Sequence, residues 1–436
     1  MTEGADRTPE SAEVVVIGGG IIGVSTAYFL AKRNIPVVLF EKGRIAGEQS
    51  SRNWGFVRQQ GRAPEELPLI VESLRIWRGI ETDIGDHVGF HQNGVLYTAR
   101  DDDDVAAFEA FVDHAKEFQL GSRLLSTAEL SALVPDMKES FRAALHTPTD
   151  GRAEPSLAVP ALARATERLG GRIVTGCAVR GLDLKRGRVA GVVTEHGITA
   201  TSTVVLAGGI WSSLFCGNHG VALPQLRIQN NVMRTTPAPS VFEGAIWAAD
   251  LALRRREDGG YTVAHGYQAD FHLGPDALRW MSDFMPAWRH EKNALKLRLS
   301  RQSLREMVTR RRWSLDDTSP FEATRVMNPK PYRNVIIETF SNLVHTFPAL
   351  SGVGIEETWA GLIDVTPDAI PVISAVDGVP GFHLATGFSG HGFGIGPGAG
   401  RVTAELVTGQ TPSVDLTPFR FRRFADGMPN PFGGAG

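Results

Sequence analysis

The chain has 436 residues, 42 % of them hydrophobic and 21 % charged, and its 45 basic and 48 acidic side chains leave a net charge of −3. That length exceeds one ordinary core and predicts two domains, and the near-neutral balance excludes a general attraction to nucleic acid. Cys177 and Cys216 are the only cysteines, which excludes a disulfide framework and a cysteine metal cluster and favours a reducing, cytoplasmic setting.

Residues 1–12 are polar and acidic, without the basic start and apolar core of a secretory signal. They and residues 426–436 are expected to be flexible termini. No uninterrupted apolar run approaches the ~18 residues of a membrane span. The twelve histidines are scattered without metal-ligand spacing, so no metal site is expected.

Residues 14–41 carry the first informative pattern. A β-branched run, Val14 to Ile17, enters the turn Gly18-Gly19-Gly20-Ile21-Ile22-Gly23. A helical pattern, a stop at Asn34 and a second apolar run ending on Glu41 follow. Gly18, Gly20 and Gly23 make the spacing of a dinucleotide fold: a tight turn, close backbone approach to a pyrophosphate, and close packing of helix on strand. The helix N-terminus offers unpaired N–H groups to phosphates, and Glu41 stands where a carboxylate receives ribose hydroxyls. The pattern alone leaves NAD and FAD open.

Residues 47–58 are polar and glycine-spaced, with Ser50, Ser51, Arg52 and Arg58 suited to phosphate or carboxylate contacts. Pro64 opens a helix with the stripe Leu67, Ile70, Val71, Leu74 and Trp77, and Asn93-Gly94 reads as a hairpin turn. Helices are predicted near 104–119 and 127–133. Asp101 to Asp104 read as the N-cap of the first rather than a metal site, and Ser126 with Glu129 forms a capping box for the second. A helix over 155–169, a strand over 172–175 and a hairpin over 179–195 come next. A buried strand over 203–206 then ends in the turn Ala207-Gly208-Gly209-Ile210-Trp211.

Short alternating strands over 223–270 predict an antiparallel sheet inserted into the dinucleotide fold. Residues 279–313 are basic and helical in period. They read as an amphipathic helix packed on that sheet, with a membrane-surface or partner-docking helix as the alternative. Near the end, Trp359-Ala360-Gly361 and Thr366-Pro367-Asp368 precede an apolar strand over 369–373 and another over 381–385. The glycine run 387–398 then precedes a last helix. Glycines so dense before a helix leave an anion-receiving end, suited to negative charge on a reduced flavin ring.

These motifs together resemble those of the flavin-dependent amino-acid and amine oxidoreductases related to D-amino-acid oxidase, sarcosine oxidase and D-amino-acid dehydrogenase. The resemblance rests on 18–41, 50–55, 207–212, 359–371 and 387–393. It implies an α/β fold, with a Rossmann-like FAD-binding domain from 13–62, 150–220 and 355–425. An inserted α+β substrate domain, on a mixed and largely antiparallel sheet, would come from 63–149 and 221–354.

Carried over by position, the resemblance implies cofactor contacts from Gly18, Gly20, Ile21, Ile22, Gly23, Glu41, Lys42, Ser50, Ser51, Arg52, Asn53 and Trp54. Val179 would lie near the adenine, Ala207, Gly208, Gly209 and Trp211 beside the cofactor, and Gly361 with Gly390, His391, Gly392, Phe393, Gly394 and Ile395 along the flavin.

Ile363 stands where many members carry a carboxylate-pairing Arg, and Gly394 where monomeric sarcosine oxidases carry Lys. Gly361 replaces the cysteine that links flavin covalently, so dissociable FAD is implied. The pattern around Asp364 is nearest the sarcosine-oxidase β-subunit and opine-oxidase branch. Arg58 is the remaining carboxylate anchor, or else contacts flavin, phosphate or solvent. Asp364 either receives a substrate ammonium or caps the Thr366-Pro367 turn. Further pocket candidates are His265, Tyr267, Trp247, Phe388 and His391.

The implied reaction is hydride transfer to flavin N5 from a C–H next to nitrogen, giving an imine that hydrolyses. The substrate would be an N-substituted, sarcosine- or opine-like amine or a D-amino acid. The electrons would go to O2, or to a quinone or partner subunit. Ala264 stands near the position of the oxygen-activating Lys of monomeric sarcosine oxidases, which weighs against O2. A non-catalytic flavin subunit is the third alternative.

Overall fold

The valine run Val14–Ile17 lies inside a six-stranded sheet in a computed structural model that describes residues 8–138, 141–248 and 250–427. The strand order is Val372–Ala375, Phe382–Thr386, Thr203–Leu206, Val14–Ile17, Val37–Phe40, Arg172–Val174. Every neighbouring pair is parallel except the first. Parallel strands are covered on both faces, which is why these runs are continuously apolar. Val14 and Val16 enter one core cluster while Val15 and Ile17 enter another on the opposite face, as a period of two requires.

Helix Ile21–Ala31 is buried along its whole length and packs against helix Gly392–Val407. The glycine run does not stop short of that last helix, because the helix already begins at Gly392. A Cβ at Gly396 would lie 2.4 Å from Ile21, and one at Gly400 2.3 Å from Ser25. The glycines inside the helix therefore serve close helix–helix approach, and only those before Gly392 form the turn.

The second sheet has ten strands and is mixed, mostly antiparallel. Strand Ile355–Val365 pairs with Leu226–Thr235 along nearly its full length within this sheet, and Asp364 near its end accepts from Gly387 N–H, just past strand Phe382–Thr386 of the six-stranded sheet. The expected caps form: Asp101 accepts from Asp104 N–H, and Ser126 with Glu129 closes its box.

Two further expectations fail. Asn93-Gly94 is not a hairpin turn, since Val95–Ala99 pairs with Ala245–Ala248 and Ala143–Thr147. Gly94 instead bonds Asp150 and Ala245 through its backbone, a long-range partnership that no local signal reveals. Residues 279–313 are not one helix packed on the sheet. They form helices Met281–Glu291 and Arg301–Val308 on either side of strand Leu295–Arg298, and the first of these buries no residue. No helix among the described residues is long and apolar enough to cross a membrane.

Candidate active site

A cavity of about 650 Å³ runs from the first glycine turn to the second sheet. At its outer end Gly18 has φ +113°, and a Cβ there would lie 2.4 Å from the Ala207 carbonyl. Gly20 caps helix Ile21–Ala31 without a side chain of its own, and Ile21 N–H donates to Ser50 Oγ at 2.8 Å. The helix therefore points an almost bare N-terminus at the cavity. Glu41 accepts from Gly19 and Gly43 N–H at 2.7 Å each. Burial pushes its carboxyl up, against those two donors. Each oxygen keeps acceptor capacity for a hydroxyl.

The middle of the cavity is held by side chains tied to one another. Glu48 accepts from Lys42 Nζ at 2.7 Å, Trp211 Nε1 at 2.9 Å and Met327 N–H at 2.8 Å, and Lys42 also lies 4.5 Å from the centre of the Trp211 ring. Arg52 donates to the Ala360 carbonyl, and Asn53 bonds Ser50 and Gly55. Buried Asp364 accepts from Gln49 at 2.7 Å, Gln225 at 3.1 Å and Gly387 N–H at 2.9 Å. It does not cap the Thr366-Pro367 turn, whose bonds run through Ser389 and Asp368. Both Gln49 and Gln225 face a carboxyl that burial pushes up, so Asp364 joins three loops around the cavity.

The inner end is cationic. Arg58 is 8 % exposed, lies over the rings of Tyr97 and Trp247 at 5.3 and 5.7 Å, and donates to the Gln60 carbonyl. Arg62 is buried beside it, donates through Nε to the Arg58 carbonyl, and has no partner for Nη1. Burial and Arg58 together press the Arg62 guanidinium down to about 9. Asp150, buried and accepting from Gln59 and Gln60 N–H, is pushed up to about 7 by burial. His391 donates Nδ1–H to Glu66 at 3.0 Å. Burial and Arg62 push its imidazole down to about 4, so the neutral ring keeps Nε2 as an acceptor.

Most of the residues expected at the site line this cavity, from Gly18, Ile21 and Ile22 through Trp54, Val179, Gly208 and Gly209 to Phe388, Gly390, Gly392, Phe393 and Gly394. Tyr267 and Ile363 line it as well. Four do not. A Cβ at Gly23 would meet the Gly18 carbonyl at 2.0 Å, so Gly23 is a packing position. Ser51 bonds the Glu48 carbonyl, Ile395 is fully buried in the core, and His265 spends Nδ1 on Tyr267 and Gln268 N–H.

Sequence reading missed Gln49, Arg62, Glu66 and Asn230, whose Oδ1 is buried in the cavity wall without a partner. The available signal for Arg62 was its four-residue spacing from Arg58 in the same polar segment. The fit to a dinucleotide is good: Gly20 leaves the N-terminus of helix Ile21–Ala31 open to the cavity, and Glu41 beside it keeps acceptor capacity for ribose hydroxyls.

The chain matches the family model for FAD dependent oxidoreductase over residues 13–406. It is 27 % identical over 434 residues to human mitochondrial sarcosine dehydrogenase, covering 97 % of this chain but 43 % of that protein. The chain thus spans less than half the length of that relative. It is 25 % identical to sarcosine oxidase subunit beta of an Arthrobacter species, covering 96 % and 92 % of the two chains. Among solved structures, L-amino acid deaminase from Proteus myxofaciens, in complex with anthranilate, superposes with a TM-score of 0.93 at 33 % identity. That match covers 97 % of this chain and 95 % of the other. With a family match across nearly the whole chain and a glycine-lined cavity that suits the cofactor, the protein belongs to the FAD dependent oxidoreductase family.

Proposed function

We propose that this protein oxidises the C–N bond of an amino acid whose free carboxylate is held by Arg58 and Arg62. One observation carries this reading. Elsewhere in the fold, buried Arg254 and Arg423 each meet a carboxylate in two-pronged contact. Among the described residues Arg58 and Arg62 make no ion pair, yet both line the cavity. The buried carboxyls nearest them, Asp150 and Glu66, are bonded instead to Gln59 and Gln60 N–H and to His391. A buried guanidinium lacking a directly paired carboxylate is unfavourable, so an anionic ligand group is its natural complement. The anthranilate bound by the deaminase carries a carboxylate beside its amine, which supports the same reading.

In this reading Gly18, Gly20 and the first turn of helix Ile21–Ala31 hold the pyrophosphate and Glu41 the ribose. Gly361 and residues 390–394 border the flavin ring. The segments 13–62, 150–220 and 355–425 form the FAD-binding part, and 63–149 with 221–354 the substrate part. FAD, when bound, supplies a two-electron acceptor for the C–H next to nitrogen, and water hydrolyses the resulting imine. Arg58 and Arg62 orient the carboxylate, which fixes the C–H relative to the ring. Trp54, Trp247 and Tyr97, in edge-to-face contact at 5.1 and 5.2 Å, wall the substrate off from water. His391, whose ring burial and Arg62 keep neutral and whose Nδ1–H is committed to Glu66, has Nε2 free to accept a hydrogen bond from the amino group. Neither cysteine lines the cavity, which supports dissociable FAD.

The test is anaerobic bleaching of the bound flavin by amino acids of both hands, N-methyl and N-carboxyalkyl amino acids, and uncharged amines. Carboxylated substrates should bleach it. A preference for uncharged amines would overturn the arginine reading, and no bleaching by any of them would favour a non-catalytic flavin subunit.

A specific observation favours an acceptor other than O2. Lys42 is the sole lysine lining the cavity among the described residues, and it is engaged by Glu48 and two carbonyls, while Ala264 is buried. Electrons would then pass to a quinone or a partner subunit. Reduced protein admitted to air should reoxidise slowly; rapid reoxidation with peroxide release would rule this out.

A further inference from the structure

Residues 278–308 expose large apolar side chains in a way a folded chain ordinarily avoids. Leu278, Met281, Leu297 and Leu299 are between 49 % and 80 % exposed. Helix Arg301–Val308 is inside out: Ser303 is buried and Glu306 faces Arg227, whereas Leu304, Met307 and Val308 point to solvent at i, i+3, i+4 spacing. Helix Met281–Glu291 buries no residue either: Met281 is 56 % exposed, and Phe284, Met285 and Trp288 on the same stripe are only half-buried. Strand Leu295–Arg298 lies between them at the edge of the large sheet.

Cations are interleaved with this apolar surface. Residues 279–313 contain ten Lys and Arg against three Asp and Glu. Arg289, Lys292, Lys296 and Arg301 are exposed and make no ion pair among the described residues. We propose that this surface docks onto a membrane surface rich in anionic lipid headgroups. Apolar and aromatic groups entering the headgroup boundary, with free cations beside them, are the signature of an interfacial element. The core of a protein–protein interface is depleted of lysine, whereas Lys292 and Lys296 sit among the apolar groups here. No described helix can span a bilayer, so the contact lies along the surface. Glu291, at the end of helix Met281–Glu291, also lines the large cavity, so the docked surface borders the site.

The test is flotation of the FAD-loaded full chain with phosphatidylcholine vesicles, with and without phosphatidylglycerol. The chain should float with the anionic vesicles and sink as salt is raised. Replacing Lys292, Lys296 and Arg301 by Gln should weaken partition about fivefold per cation removed. The triple variant Leu304→Ser, Met307→Ser, Val308→Ser should abolish flotation. Both variants should keep the flavin spectrum and the thermal midpoint of the parent, because the altered side chains are exposed. Flotation that is equal on neutral vesicles, or that survives the apolar variant, overturns the proposal. So does a chain that ignores both vesicles; if its apparent mass also falls in the apolar variant, the face belongs to a second copy of the chain.

Discussion

At the scale of single residues, Arg62 has the most exposed consequences. Its Nη1 has no partner among the described residues, and its side-chain bond to the Arg58 carbonyl is long at 3.3 Å. Arg62→Met therefore removes little from the fold. A hydrogen bond between charged groups contributes about 1.5–3 kcal/mol, so KM for a carboxylated substrate should rise roughly ten- to hundredfold. Oxidation of the matching uncharged amine should change little. Steady-state kinetics with the two substrates check this.

His219 supplies a pH test outside the site. Its Nε2 accepts Leu182 N–H at 3.0 Å, and burial with Arg312 presses it down from its ordinary 6.5 to about 4. Between those values the unfolded chain binds the proton and the folded one does not. Stability is then fully present above about 6.5 and falls as pH drops toward 4, by about 3 kcal/mol at most. Melting scans over this window should show the loss, and His219→Gln, which keeps an acceptor for Leu182, should flatten it.

At the scale of elements, glycine has two distinct meanings in this chain. Gly400 sits where helix Gly392–Val407 crosses helix Ile21–Ala31, with Ser25 and Thr26 backbone atoms 2.6–2.7 Å from any added Cβ. Gly400→Ala should lower stability by about 1–3 kcal/mol through overpacking and loosen FAD, because both helices begin at the cavity. Gly79 lies inside helix Leu67–Ile84 with nothing within 4 Å. Gly79→Ala should stabilise by roughly 0.5–1 kcal/mol. Thermal melts of the two variants should move in opposite directions.

Such elements were largely legible beforehand. The helix from Leu67, the capped helices and the dinucleotide strand–turn–helix all follow from local periodicity and turn chemistry. The hairpin at Asn93-Gly94 was misread because Val95–Ala99 finds its partners across the molecule.

At the scale of the whole molecule, Arg254 on the large sheet grips Glu154, at the start of helix Pro155–Arg168, at 2.7 and 3.1 Å, and also donates to the Trp54 carbonyl. Glu154→Gln leaves a buried guanidinium without its carboxylate and should lower stability by about 3–5 kcal/mol. Because Trp54 lines the cavity, flavin release should accompany the loss, which fluorescence of freed FAD would report. Removing FAD from the parent should likewise lower Tm, and restoring it at a thousandfold excess over Kd should return about 4 kcal/mol. An unchanged melt would refute the cavity as the cofactor site.

The sequence by itself determined the dinucleotide element and, through several ordered motifs, the family and its cofactor. Those signals are contiguous, and each is imposed by backbone geometry within a few residues. Tertiary structure alone decided the cationic inner end of the cavity. Glu66 meets His391 across 325 positions, and Asp150 meets Gln59 and Gln60 across about ninety. Nothing in the local chemistry of any one of these segments records its partners. Tertiary structure also decided which apolar stripes stay outside. The stripe at Leu304, Met307 and Val308 has the same spacing as a core stripe, and only the packing of Ser303 inward turns it to solvent.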